Sequence, residues 1–100
     1  MGERETTPTL LLIVRCYKSI KKIKYSQNEV KMIKENLGKK LKILRKKEGI
    51  SQEAFALRIG MDRTYYASVE AGKRNISIIN LKKISDGFNV SLSELFQGVL

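Results

Sequence analysis

Histidine and tryptophan are absent from this chain of 100 residues, and it holds one cysteine and one proline. Each absence removes a class of chemistry. Without histidine there is no Ser-His-Asp triad and no zinc site with imidazole ligands. The lone Cys16 excludes an internal disulfide framework and suits a reducing cytosol. The longest apolar run, Leu10 to Val14, is five residues, far short of the ~20 that span a bilayer. It also lacks the basic flank and small-residue cleavage site of a secretory signal. These features predict a cytoplasmic protein without a membrane partner. With no glycine-rich phosphate loop and no paired-cysteine motif, neither catalysis, nor a metal, nor a cofactor, nor a small-molecule ligand is expected.

Positive charge is what the chain has in excess. Twenty Lys and Arg against ten Asp and Glu leave a formal charge of +10. Such an excess on a small protein favours polyanions, because phosphates neutralised by lysine and arginine release their counterions. Nucleic acid is therefore the leading partner class. Charge alone also fits a lysine-rich solvated surface.

Helix is the default from about Ser26 onward, since the later chain has no proline and little alternation of β-branched residues. Start and stop signals cut it into five pieces. Ser26-Gln27-Asn28-Glu29 has capping-box form, and Val30, Ile33, Leu37, Leu41 and Leu44 follow as one apolar stripe that ends at Gly49. Ser51 can cap a short helix from Gln52 to Ile59, closed by Gly60. Asp62 can cap a third, Arg63 to Ala71, closed by Gly72. Asn75 or Ser77 can cap a fourth, with Ile78, Leu81, Ile84 and Phe88 as its stripe, and Ser91-Leu92-Ser93-Glu94 opens a fifth through Phe96. The expectation is an all-α, five-helix domain over residues 36–97. Residues 1–35 form an N-terminal arm or extension that could be a strand, a loosely attached helix or a disordered arm.

The second and third helices are joined by only Gly60-Met61-Asp62, the length and glycine content of a helix-turn-helix unit. On the third helix, Tyr66 and Val69 share the face that should point inward, Arg63, Thr64 and Ala67 point outward, and Tyr65 lies at the boundary. An arginine, a threonine and a small residue at the exposed start of a helix suit base edges in a major groove, with Arg toward guanine and Thr or Ala against a thymine methyl. Ordinary solvated first-turn residues over a tyrosine core are the plainer reading of the same pattern. The basic run of helix one, Lys39, Lys40, Lys42, Lys46 and Lys47, reads mostly as a solvated face. Near the C-terminus, Ile76, Ile79, Leu92, Leu95, Phe96, Val99 and Leu100 exceed what a small core needs. They are either core or a two-fold dimer interface, and the dimer is favoured, with Ile79, Leu92, Leu95 and Phe96 as its surface.

Arg45, Ser51-Gln52-Glu53, Ala56, Ile59-Gly60, Glu70-Ala71-Gly72 and the closing VSLSELF together resemble the Cro/C1-type helix-turn-helix domain of phage repressors, the xenobiotic-response-element type. Within it, DRTY followed by VEAGKRNIS is most similar to the controller proteins of restriction-modification systems. Related domains also occur at the N-termini of some methyltransferases and in many antitoxins. The resemblance implies a phage-repressor-like domain, a homodimer and a palindromic double-stranded DNA operator. It implies that Gln52 holds a phosphate, that Arg45 and Glu70 form a structural ion pair, and that Arg63, Thr64, Tyr65, Ala67, Arg74 and Asn75 approach DNA. Two positions depart from the family pattern. Tyr66 stands where isoleucine is usual, which demands space or a partner for its hydroxyl, and Ala67 stands where a polar residue is common. The alternative is an antitoxin-like or helical adaptor protein whose main partner is another protein.

Overall fold

The computed structural model describes residues 23–100, so the Leu10–Val14 run and Cys16 lie outside the described residues. Among the described residues five helices follow in order: α1 Gln27–Glu48, α2 Gln52–Arg58, α3 Arg63–Glu70, α4 Ile78–Gly87 and α5 Leu92–Phe96. Every one begins on a side-chain cap. Ser26, Ser51, Asp62, Ser77 and Ser91 each accept the backbone N–H three residues on, at 3.0 to 3.2 Å. A cap of this kind is worth ~1 kcal/mol over alanine, which is why such short segments hold helical form at defined starts. Ser77, not Asn75, caps α4. The ends of α2 and α3 fall one residue before those expected, the usual scatter at a fraying terminus.

Aromatic stacking forms the centre of the core. Phe55 of α2 lies against Phe88, with ring centroids 4.0 Å apart and planes 13° apart, and against Tyr66 of α3 at 5.1 Å. Leu37, Leu41, Ala56, Val69, Ile84, Leu95 and Val99 complete the buried set. The inward face read from spacing on α3, Tyr66 and Val69, is the buried one. Among the described residues no helix is long and apolar enough to cross a membrane.

Several expectations change. Leu95 is fully buried in the protomer core, so it cannot form the dimer surface expected of it. A five-residue helix turns one apolar position wholly inward, and that position is Leu95. Val99 is also core, which carries the packed unit past the expected limit at residue 97. At the other end the limit at residue 36 falls inside α1, whose start at the Ser26 capping box is the one expected. Of the α1 stripe only Leu37 and Leu41 are buried, with Leu44 packed beside them; Ile33 is 39% exposed, and the first turns of α1 project past the core. Ile78, expected in the α4 stripe, is exposed as well.

Candidate nucleic-acid interface

The anchor of the site is Glu70, at the last residue of α3. Its side chain is 1% exposed, yet four hydrogen bonds reach its carboxylate. Arg45 of α1 donates from Nε to Oε2 at 2.7 Å and from Nη2 to Oε1 at 3.0 Å. The Gln52 amide at the start of α2 donates to Oε1 at 2.8 Å, and the Tyr66 hydroxyl donates to Oε2 at 2.7 Å. Arg45 also donates from Nη1 to the Ile50 carbonyl at 2.9 Å. Three helices thus meet on one carboxylate, and Arg45 joins the α1–α2 turn to it. Burial pushes the Glu70 carboxyl up, but the bonds from Arg45, Gln52 and Tyr66 outweigh it and hold the group below its ordinary range. The Tyr66 phenol is driven far above its ordinary range, by burial first and by the adjacent Glu70 second. Arg45 is held more firmly protonated by its bond to Glu70.

This arrangement supplies the partner that Tyr66 requires and ties Gln52 to the same carboxylate. The Gln52 amide nitrogen, expected on a phosphate, gives one N–H to Glu70, and the half-buried side chain also borders the open surface described below. Sequence pattern alone does not join residues 18 apart on different helices.

Sequence pattern does not single out Gly38, although it sits in mid-helix where glycine is unfavourable by about 1 kcal/mol. A Cβ there would fall inside contact distance of the Glu70 carbonyl oxygen and 2.8 Å from the carbonyl carbon. Gly38 therefore permits α1 to cross close over the end of α3. That crossing sets the tilt of α3 against the rest of the molecule.

With its far end locked, α3 presents its first turn outward. Arg63 and Thr64 are exposed, and Ala67 is half-buried one turn on. They line an open concave surface with Ser51, Gln52 and Glu53 of the α2 start, and Arg45 at its base. Arg63 Nη1 stands 3.7 Å from Glu53 Oε1, but both side chains are 65% exposed, so the pair contributes little and leaves the guanidinium free to turn to a ligand.

A second cluster ties the loop after α3 to its outer face. Tyr65 is half-buried, and its hydroxyl accepts from Asn80 Nδ2 of α4 at 3.3 Å. The Arg74 guanidinium lies 5.3 Å over the Tyr65 ring, and its Nε donates to Ser68 Oγ at 3.0 Å, while Ser68 Oγ donates to the Tyr65 carbonyl at 2.6 Å. Arg74 is thereby held near α3 through one nitrogen and a ring face. Asn75 is exposed in the same loop. The structure brings Arg63, Thr64 and Ala67 together in one concavity and Tyr65 with Arg74 in another cluster, joined through α3. Asn80 and Ser68 belong to the second cluster with no signal in the sequence; a polar residue on one helix does not announce a tyrosine on another.

A family model described as helix-turn-helix matches residues 41–95, which contain both short helices, the turn between them and Glu70. The chain belongs to the helix-turn-helix family. It is 57% identical over 68 residues to the control protein C.MunI of Mycoplasma sp, covering 67% of this chain and 92% of that protein. With the control protein C.BamHI of Bacillus amyloliquefaciens it shares 37% identity over 59 residues, 58% of this chain and 73% of the other. Among solved structures it is similar to the restriction-modification controller C.AhdI of Aeromonas hydrophila, with a TM-score of 0.60 and 39% identity over 62% of this chain and 94% of that one. It is also similar to C.Esp1396I, solved as a tetramer in complex with its natural 35 base-pair operator, with a TM-score of 0.61 and 30% identity over 67% of this chain and 88% of that one. In helix-turn-helix terms α2 and α3 are the paired helices, and α3 is the recognition helix.

Proposed function

We propose that this protein is a sequence-specific DNA-binding transcriptional regulator that works as a homodimer on a palindromic operator and controls restriction-modification genes. The observation that carries it is the exposed first turn of α3, Arg63 and Thr64, on a helix whose other end is fixed by the Arg45–Glu70 pair. Base readout needs that combination: donors free to reach a groove, on an element that does not rock. Arg63 offers a bidentate donor to guanine, and Thr64 and Ala67 offer apolar contact to a thymine methyl. Tyr65 and Arg74, with Asn75, sit where the loop would follow the adjoining backbone.

Exposed Ile79 on α4 and half-buried Leu92 and Phe96 on α5 supply the apolar surface for the two-fold contact, now without Leu95. A dimer places both recognition helices on one side of the duplex, so its half-sites lie about 10 base pairs apart or at a multiple. The likeness to C.MunI supports the restriction-modification setting. Such a regulator acts where the chromosome is, in the cytoplasm.

Selection of bound duplex from a random pool tests the reading. A two-fold symmetric consensus with that spacing is expected. Recovery of no enriched sequence, with binding that stays equal across all duplexes, would overturn it.

A further inference from the structure

α1 begins well before the part of the chain that matches the family, and its first turns run beside the loop that follows the recognition helix. Gly72 lies directly over Glu35, and a shallow groove is lined jointly by Tyr25, Val30, Ile33 and Lys34 of this extension and by Asn75 of the loop. The side of α1 that meets α3 at Gly38 continues through Lys34 and Lys31 to Gln27, which share one face at helical spacing. Gln27 stands about 10 Å further along the axis than Lys34. Lys24 leads into this overhang, and Asn75 lines the far side of the groove.

Three lysines and two glutamates lie along residues 24–35. Lys24 and Lys31 are exposed, Lys34 is half-buried, and none of the three makes an ion pair among the described residues. Of the nearby acids, Glu29 is engaged by the Ser26 backbone N–H at 2.8 Å, and Glu35 packs under Gly72. A helix end that buries so little yet keeps a capping box and several lysines beside Asn75 has the chemistry of a surface for a polyanion. Its apolar side chains, Val30 and Ile33, line the groove opposite Asn75.

We propose that the start of α1 extends the DNA-contacting surface beyond the helix-turn-helix unit, with Lys24, Lys31 and Lys34 neutralising backbone phosphates that flank each half-site. The proposal rests on the DNA-binding reading above and adds a region outside the residues that match the family model. Phosphate contacts position the protein and carry no base preference. The extension therefore raises affinity and lengthens the footprint while leaving the recognised sequence unchanged.

The test compares the full chain with its Lys24→Gln, Lys31→Gln, Lys34→Gln triple variant. Dissociation constants are measured over a salt series, on the duplex selected from the random pool and on a random-sequence duplex. Each phosphate that is no longer neutralised lowers the log–log salt slope by about 0.9. The homodimer loses six such lysines, three at each half-site, so a drop of about 5 is expected on both duplexes, with the same selected consensus and an unchanged thermal midpoint. Hydroxyl-radical footprints of the triple variant should recede at both outer edges. An unchanged slope and footprint, with the unmodified chain still binding its selected duplex, would overturn this proposal and leave the regulator reading standing. If the unmodified chain selects no duplex, the regulator reading itself fails and this proposal with it.

Discussion

Tyr66 and Glu70, one turn apart on α3, share a 2.7 Å hydrogen bond inside the core, and the same carboxylate carries the Arg45 guanidinium of α1. A tyrosine stands where related domains are expected to carry an aliphatic side chain, so its hydroxyl has been absorbed into the ion pair that orients the recognition helix. The core and the site share a buried atom, Glu70 Oε2.

Removing one side of that pair should be costly. Arg45→Ala leaves the Glu70 carboxylate buried with only Gln52 and Tyr66 as partners. Loss of one partner from a buried ion pair costs roughly 3–5 kcal/mol. Urea unfolding of the variant measures it, and a loss below about 1 kcal/mol would show that the carboxylate finds water or protonates instead.

The pH dependence of stability has two flanks with opposite signs. Glu70 titrates lower in the folded protein than its ordinary value, so its contribution is present above about pH 4.3 and is lost as pH falls toward the folded pKa. Tyr66 titrates higher, so its contribution is present below about pH 10 and is lost as pH rises beyond it. Thermal midpoints across pH should show a plateau that falls on both sides. Tyr66→Phe should flatten the alkaline flank and lower the unfolding free energy on the plateau by roughly 1.5–3 kcal/mol, the range for a hydrogen bond to a charged group. An alkaline flank identical in the variant would assign it to another group.

Gly38→Ala tests the close crossing of α1 and α3. Alanine normally stabilises a helix interior by about 1 kcal/mol relative to glycine. Here its methyl would collide with backbone at Glu70, which cannot rotate away as a side chain could. Net destabilisation is expected, with weaker operator binding as α3 is displaced. A gain in thermal midpoint with unchanged binding would place the helices further apart than described.

Much of this was legible in sequence, for local reasons. Each helix start carries a Ser or Asp whose oxygen reaches three residues on, and those five caps are where the helices begin. Tyr66 and Val69 fall on the buried face because helical period alone decides it. What escapes depends on what lies opposite. Val30 and Ile33 continue the α1 stripe with no core across from them, and Leu95 reads the same whether it faces a core or a partner. Gln52 and Asn80 acquire their roles from residues on other helices, and Gly38 from a backbone that no spacing rule reveals.

Truncating the aromatic itself separates core from surface. Tyr66→Ala removes a fully buried ring in contact with Phe55, and should cost roughly 3–5 kcal/mol. Cooperative unfolding at an unchanged midpoint would mean that the ring is not part of the packed centre.

The central claim is that the start of α3 reads bases, and Arg63→Ala tests it most directly through paired thermal unfolding and titration of the selected duplex. Arg63 is exposed and only loosely paired with Glu53, so stability should change by no more than about 0.5 kcal/mol. Specific affinity should fall by about 1–3 kcal/mol, roughly 5- to 150-fold, with preference relaxed at one base pair in each half-site and little change on random-sequence DNA. A variant that binds the selected duplex as the unmodified chain does, with the same base preference, would contradict the account.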